Sequence, residues 1–169
     1  MKIKSKSLKI ILLLFLFINT SLSFAQSKLE TESWILEKCN DYAINNFYTR
    51  ELKIEDGYFT YFEKIGENLF YERILIKKIS EVQIKKEESS DWGYTIKVYC
   101  NGKGCDDSGH YINGNYKNTV IEYSGNKGNL DVYLNKNFGN DDLPKRMEKA
   151  LIHLVKLYGG NAKVYKETF

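Results

Sequence analysis

The sequence predicts an α+β domain built from an N-terminal helix, an antiparallel meander of five to seven short strands and a C-terminal amphipathic helix. Two observations lead to this fold class. The middle of the chain holds short runs rich in β-branched and aromatic residues, separated by turn sequences. The last part holds apolar residues at helical spacing. We expect the strands to form a curved sheet or a barrel that the last helix closes.

The first 25 residues are typical of a secretory signal peptide. Lys2, Lys4, Lys6 and Lys9 precede an apolar run over 10–18, and Ser23-Phe24-Ala25 offers small residues for cleavage. The apolar run is shorter than the roughly 20 residues that span a bilayer. We therefore predict cleavage after Ala25 and a single mature domain over 26–169. This domain would be periplasmic or secreted and would have no transmembrane segment.

The predicted cleavage changes the charge of the protein. Four of the 25 basic residues and none of the 22 acidic ones lie in the signal peptide, which leaves 21 against 22. Proteins that bind nucleic acids normally present a concentrated positive surface to the phosphates. Lys77-Lys78 and Lys85-Lys86 are the paired lysines of the mature chain, and Glu87-Glu88 follow the second pair. We therefore expect no nucleic-acid partner.

The helix and strands of the mature chain follow in order. A first helix is predicted over 31–45, because Ile35, Cys39 and Tyr42 recur at helical spacing. The predicted strand at 68–84 is long, and we expect it to bend near Lys77-Lys78. In the predicted strand at 94–100, YTIKVYC, successive residues point to opposite faces. The predicted strands cover 57–65, 68–84, 94–100, 118–124 and 130–135.

The last element is an amphipathic helix. Pro144 falls in its first turn, where the missing N–H has no partner to lose, and Gly159 supplies the stop. The apolar stripe must lie on the sheet. It is formed by Leu143, Met147, Ala150, Leu151, Leu154, Val155 and Tyr158.

Three segments carry a family resemblance. FYERILIKKISEVQI has an isoleucine and a valine, Ile79 and Val82, separated by two residues at the start of a strand. The strand YTIKVYC ends in a cysteine, and LPKRMEKALIHLVKLYGG forms the last helix. This order resembles the pleckstrin-homology-like barrels of uncharacterised exported bacterial proteins, in which such a helix plugs the barrel. The resemblance implies a binding scaffold rather than an enzyme. Five or six strands are recognisable where the full barrel has seven, so an open curved sheet remains the alternative.

The mature chain keeps three cysteines, Cys39, Cys100 and Cys105. Thiols of exported proteins usually pair, because their compartment is oxidising. Cys100 and Cys105 flank Asn-Gly-Lys-Gly, a strong turn sequence, and residues that close a hairpin lie at distances suited to a disulfide. We favour this pair. A bond between Cys39 and Cys100, joining the first helix to the sheet, is the main alternative.

The segment around these cysteines also suggests a metal or catalytic site. Zinc could recruit Cys100, Cys105 and His110, with Asp106 or Asp107, but the spacing is not that of structural zinc sites. Residues 106–110 contain an acid, a hydroxyl and an imidazole, yet neighbours on a short loop rarely converge into a triad. We expect a solvated turn with no catalytic, metal or cofactor residue, and hence a protein that is not an enzyme. A small hydrolase or metal-dependent enzyme centred on residues 105–116 is the alternative.

Aromatic residues provide the candidate binding surface. Tyr58, Phe59, Tyr61 and Phe62 place rings on both faces of one strand. Either a second element covers the outer face, or tyrosines form an exposed patch that binds a partner. The candidate surface comprises Tyr58, Tyr61, Tyr99 and Tyr133. The predicted function is a non-catalytic binding protein of the cell envelope whose partner is a protein or another envelope macromolecule. An exported immunity protein that binds a toxin is a further alternative.

Overall fold

The computed structural model describes residues 28–44, 49–88, 92–102, 104–112, 115–117 and 127–166. The predicted signal peptide and the predicted strand at 118–124 lie outside these residues. None of the helices in the described ranges combines the length and apolarity needed to cross a membrane.

The described elements are two helices, nine strands and two short 3₁₀ segments. Helix α1 covers 28–41 and starts three residues before the predicted helix. The strands are β1 (Thr49–Glu55), β2 (Tyr58–Ile65), β3 (Asn68–Leu75), β4 (Ile79–Lys86), β5 (Tyr94–Asn101), β6 (Asp106–Ile112), β7 (Asn115–Lys117), β8 (Lys127–Leu134) and β9 (Lys163–Val164). The 3₁₀ segments are Ile76–Lys78 and Lys136–Asp142, and helix α2 is Leu143–Leu157.

The first sheet has five strands in the order β1-β2-β3-β6-β7, all antiparallel to their neighbours. β1 and β2 are joined by Asp56-Gly57, where both residues have positive φ, 52° and 81°. Positive φ at both central residues is the backbone of a type I′ hairpin turn, which Asp-Gly favours. The tight turn fixes the register that places Tyr61 between Leu52 of β1 and Glu72 of β3.

The second sheet has four strands in the order β8-β5-β4-β9. Its pairs are antiparallel except for β4 with β9, which is parallel. Ile96, Val98 and Val132 on one face are fully buried, as the alternation in β5 and β8 predicts. Helix α2 packs along β4 and buries Met147 and Leu151 in the same core.

Two segments of the chain pass from one sheet to the other, at the corner where the sheets meet. β3 continues into β4 through the 3₁₀ segment at Ile76–Lys78, which is the bend predicted near Lys77-Lys78. β5 leads back to β6 through 102–105, and the Leu75 N–H donates to the Cys105 carbonyl at 2.8 Å. The favoured cysteine pair, Cys100 with Cys105, forms a disulfide here with the Cα atoms 6.0 Å apart. The bond joins the end of strand β5, in the second sheet, to the residue just before strand β6, in the first sheet. The expectation that it closes a hairpin is therefore wrong, since β5 and β6 belong to different sheets.

Helix α1 makes hydrogen bonds to the edge strand of the first sheet and to the residue that follows α2. The Asn40 side chain donates to the Leu52 carbonyl at 3.2 Å and accepts from the Leu52 N–H at 2.9 Å, which satisfies part of the edge of β1. The Tyr158 hydroxyl, just beyond α2, donates to Glu32 at 2.8 Å. Ile35 and Cys39 of α1 join the same buried cluster as residues of both sheets and α2.

The structure supports the α+β class and differs from the prediction in its strands. There are nine described strands rather than five to seven, and they form two open sheets, with no closed barrel among the described residues. β1 was missed because TRELKIE alternates charged residues with two apolar ones, Leu52 and Ile54. The segment 106–112 was taken for a loop because Asp, Ser and Gly are weak strand formers.

Candidate binding groove between the two sheets

The four candidate tyrosines fall into three places. Tyr61 and Tyr133 come together in a cavity between the first sheet and β8. Tyr58 lies on the outer face of the first sheet, with the Arg73 guanidinium 4.5 Å from its ring centroid. Tyr99 lies on the second sheet, where its ring stacks on Tyr165 at 5.3 Å. The predicted surface is thus not continuous, and only two of its members share a site.

The cavity, which we call the groove, has a volume of about 250 Å³. It is open on one side and bounded by strands β1, β2, β3 and β8. Phe70 and Tyr71 of β3 complete a lining of mixed aromatic and charged character. The other lining residues are Arg50, Tyr61, Glu63, Glu72, Asp131 and Tyr133.

Two of the carboxylates in the groove are engaged by cations. Arg50 donates to Glu63 Oε1 through Nε at 2.9 Å and through Nη2 at 2.7 Å. Lys97 donates to Asp131 Oδ2 at 2.9 Å, and this hydrogen bond raises the pKa of Lys97. Both are cross-strand pairs on neighbouring strands, Arg50 opposite Glu63 and Lys97 opposite Asp131. Strand register therefore fixes these two pairs.

Glu72 is the third carboxylate, and no described cation pairs with it. Burial raises its pKa, and the neighbouring carboxylates Asp131, Glu63 and Asp106 raise it further. A half-buried carboxylate surrounded by acids is costly to ionise, because both desolvation and like charges oppose the anion. When Glu72 is ionised, the groove carries one negative charge that the described part of the chain does not compensate.

Tyr61 carries an unsatisfied hydroxyl. The residue is 8% exposed, and its hydroxyl is buried with no hydrogen-bond partner in the described part of the chain. Burial raises the pKa of this hydroxyl, so it stays protonated. Buried polar groups in folded proteins are nearly always hydrogen-bonded, and an unsatisfied one invites an explanation. Tyr61 is also the direct cross-strand neighbour of Glu72, so the unsatisfied hydroxyl adjoins the carboxylate that no described cation neutralises.

Tyr133 forms an aromatic wall of the groove. Its ring centroid lies 5.0 Å from that of Trp92 and 5.9 Å from the Arg50 guanidinium carbon. Burial, followed by the charge of Asp131, raises the pKa of its hydroxyl. These contacts hold the ring in place on the rim of the cavity.

On the outer face of the first sheet, cationic side chains lie over aromatic rings. Lys53 lies 5.1 Å from the Phe62 ring centroid, and Arg73 covers Tyr58. Thr60, between these rings, is only 2% exposed. Charged side chains and rings thus shield one another on this face, which makes it a less open aromatic patch than the sequence suggested.

Residues 106–110 do not form the solvated turn that the sequence suggested, because they belong to strand β6. Asp106 and Asp107 begin β6 and point to opposite faces of the first sheet. Asp107 binds Arg73 at 2.7 Å on the outer face, while Asp106 keeps one buried carboxylate oxygen without a partner in the described ranges. The enzyme alternative is based on a loop at this position, and residues 106–112 form a strand instead.

The metal alternative is affected by the disulfide. The sulfur atoms of Cys100 and Cys105 and a carboxylate oxygen of Asp106 lie within 4.8 Å of one another. Thiolates bind metals, whereas sulfurs bonded to each other in a disulfide do not serve as such ligands. Burial raises the pKa of the third cysteine, Cys39, to about 12, so its thiol stays protonated within the core.

Sequence reasoning missed the charged half of the groove, namely Arg50, Glu63, Glu72 and Asp131. A local signal was present: in FYERIL, Glu72 alternates with Phe70 and Ile74 on the face that turns inward. A charged residue at an inward position of a strand breaks the binary pattern, and such breaks often mark function.

No family model matches this chain, and comparison with curated proteins and with solved structures likewise finds no match.

Proposed function

We propose that this protein is an exported, non-catalytic binding protein of the cell envelope that holds its partner in the groove. The observation that carries the proposal lies at the wall of an open cavity, on two neighbouring strands. There the Tyr61 hydroxyl, which has no hydrogen-bond partner among the described residues, adjoins the Glu72 carboxylate, which no described cation neutralises. Ligand sites are typically concave, with aromatic walls and a few placed polar groups. The groove has this composition.

Two features support export. The first 25 residues have the pattern of a signal peptide, and the corner between the sheets carries a disulfide, which suits an oxidising compartment. The periplasm or the cell exterior is therefore the proposed location. The pleckstrin-homology-like relationship also stays a proposal. The amphipathic helix α2 packed on a curved, mainly antiparallel arrangement of strands supports it.

The test is affinity capture from the native cell envelope with matched variants. Tyr133→Ala removes an aromatic wall of the groove, and Tyr58→Ala removes a tyrosine ring on the outer face of the first sheet, away from the groove. We expect the first change to abolish capture of the partner and the second to leave it intact, with both variants checked for folding by circular dichroism. Capture that depends on Tyr58 and not on Tyr133 would place the binding surface on the outer face and refute the proposal.

A further inference from the structure

Resting on the proposed function, we propose that the groove receives a primary ammonium group, carried either by a small amine or by a lysine side chain. Three features of the groove lead to this ligand chemistry: its uncompensated charge, its unsatisfied hydroxyl and its aromatic lining.

The charge of the groove favours a cation. Arg50 neutralises Glu63, and Lys97 neutralises Asp131, through hydrogen bonds of 2.7–2.9 Å. Glu72 remains as a carboxylate with no described partner, so the surplus charge of the groove is negative. A ligand with one positive charge balances this surplus, whereas an anion would meet three carboxylates. Electrostatic complementarity of this kind selects ligands by sign.

The unsatisfied hydroxyl favours a ligand that donates hydrogen bonds. Tyr61 and Glu72 are directly opposite on β2 and β3, so a group seated between them meets both. A phenol hydroxyl donates one hydrogen bond and also accepts, while a carboxylate only accepts. An ammonium has three donors and no acceptor. It can give one to each group.

The aromatic lining suits an ammonium on an alkyl stem. Phe70, at the mouth of the groove, is 38% exposed and offers apolar surface to methylene groups. Tyr133 presents a ring beside the charged groups, and the rings of tyrosine attract cations. Lysine-like stems bury their methylenes along such surfaces and carry the charge at the tip.

Other cations fit this groove less well. Calcium takes six to eight oxygen ligands and magnesium six in a near-ideal octahedron. Two of the three carboxylates here are already engaged by Arg50 and Lys97. A guanidinium brings five donors in a fixed fork. A single free carboxylate and one hydroxyl leave several of these donors unmet. The three donors of an ammonium match the available acceptors.

The experiment titrates the purified protein, with its disulfide intact, and follows backbone amide signals by NMR. The probes are pentylamine and the capped peptide acetyl-Gly-Lys-Gly-amide, each at a pH where the amine is charged. 1-Pentanol and acetyl-Gly-Gln-Gly-amide are the uncharged counterparts. We expect at least one charged probe to shift the amide signals of Tyr61, Glu72 and Tyr133, and its uncharged counterpart to leave them unchanged. Shifts with the peptide alone identify a lysine side chain as the natural group, and shifts with pentylamine alone identify a free amine.

The variants separate the groove from the rest of the surface. Glu72→Gln keeps the shape and removes the charge, and we expect it to weaken binding of the charged probe about 10- to 100-fold, the range for a hydrogen bond to a charged group. Glu55→Gln removes an exposed carboxylate at the opposite end of β1 from Arg50 and should leave the affinity unchanged. Equal loss in both variants would indicate a non-specific charge effect and overturn the inference, as would the absence of any shift with both charged probes.

The two experiments together distinguish failure of the ammonium inference from failure of the proposed function. If Tyr133→Ala abolishes capture of the native partner but neither charged probe binds, the groove is the binding site and the ammonium inference is wrong. If a charged probe binds at Glu72 but capture is independent of Tyr133, the groove binds amines and the proposed function is wrong.

Discussion

Replacing Tyr61 with phenylalanine should stabilise the protein. The change removes only the hydroxyl, which is buried without a hydrogen-bond partner in the described chain, and keeps the ring in its place on β2. Leaving a buried polar group unsatisfied costs about 1–3 kcal/mol. Since a phenylalanine avoids this cost, we expect the free energy of unfolding to rise by about 1–2 kcal/mol. For a chain of this size that corresponds to a melting temperature higher by roughly 2–8 °C.

Tyr158→Phe is the matched control, because it deletes the same atom from a tyrosine whose hydroxyl donates to Glu32 at 2.8 Å. We expect this variant to lose about 1 kcal/mol, the usual net contribution of one hydrogen bond. Urea unfolding followed by tyrosine and tryptophan fluorescence measures both variants on one scale. If Tyr61→Phe is destabilised like the control, the Tyr61 hydroxyl has a partner in solution, and the argument that the groove holds an unsatisfied group fails.

Three further predictions concern the cysteines and Glu72. Cys100→Ala/Cys105→Ala should lose about 2 kcal/mol of unfolding free energy in urea, since the bond closes a short loop; an unchanged midpoint would contradict this. Cys39 should react with iodoacetamide only after unfolding, because it is buried and its pKa is raised to about 12; rapid labelling of the native protein would contradict its burial. Burial raises the pKa of Glu72 in the folded state, so the folded state binds the proton more tightly and stability falls as pH rises through the titration of this group. Glu72→Gln should therefore be more stable than wild type at pH 7 and equally stable near about pH 3; a gain that persists at low pH would refute the ionisation argument.

Local patterns in the sequence predicted the elements whose residues follow one clear period. The alternation in YTIKVYC gave β5 within one residue, and the helical stripe from Leu143 gave α2. β1 could not be predicted in the same way, because four of its seven residues are charged. Its place in the sheet depends on the Asp56-Gly57 turn and on Asn40, which lies in another element.

The groove could not be predicted as a site, because it exists only where β8 of one sheet meets strands of the other. Arg50 and Asp131 are far apart in sequence, and their proximity depends on the corner at Ile76–Lys78.

One groove residue was recognisable in the sequence: Glu72 occupies an inward strand position at which an apolar residue would be more stable. A phenylalanine at 61 and an uncharged residue at 72 would both satisfy the fold better. A chain that keeps a hydroxyl and a carboxylate side by side at such positions gives up stability there. Groups of this kind persist where a ligand completes their hydrogen bonds, so the stability gained by Tyr61→Phe and Glu72→Gln should be accompanied by weaker binding.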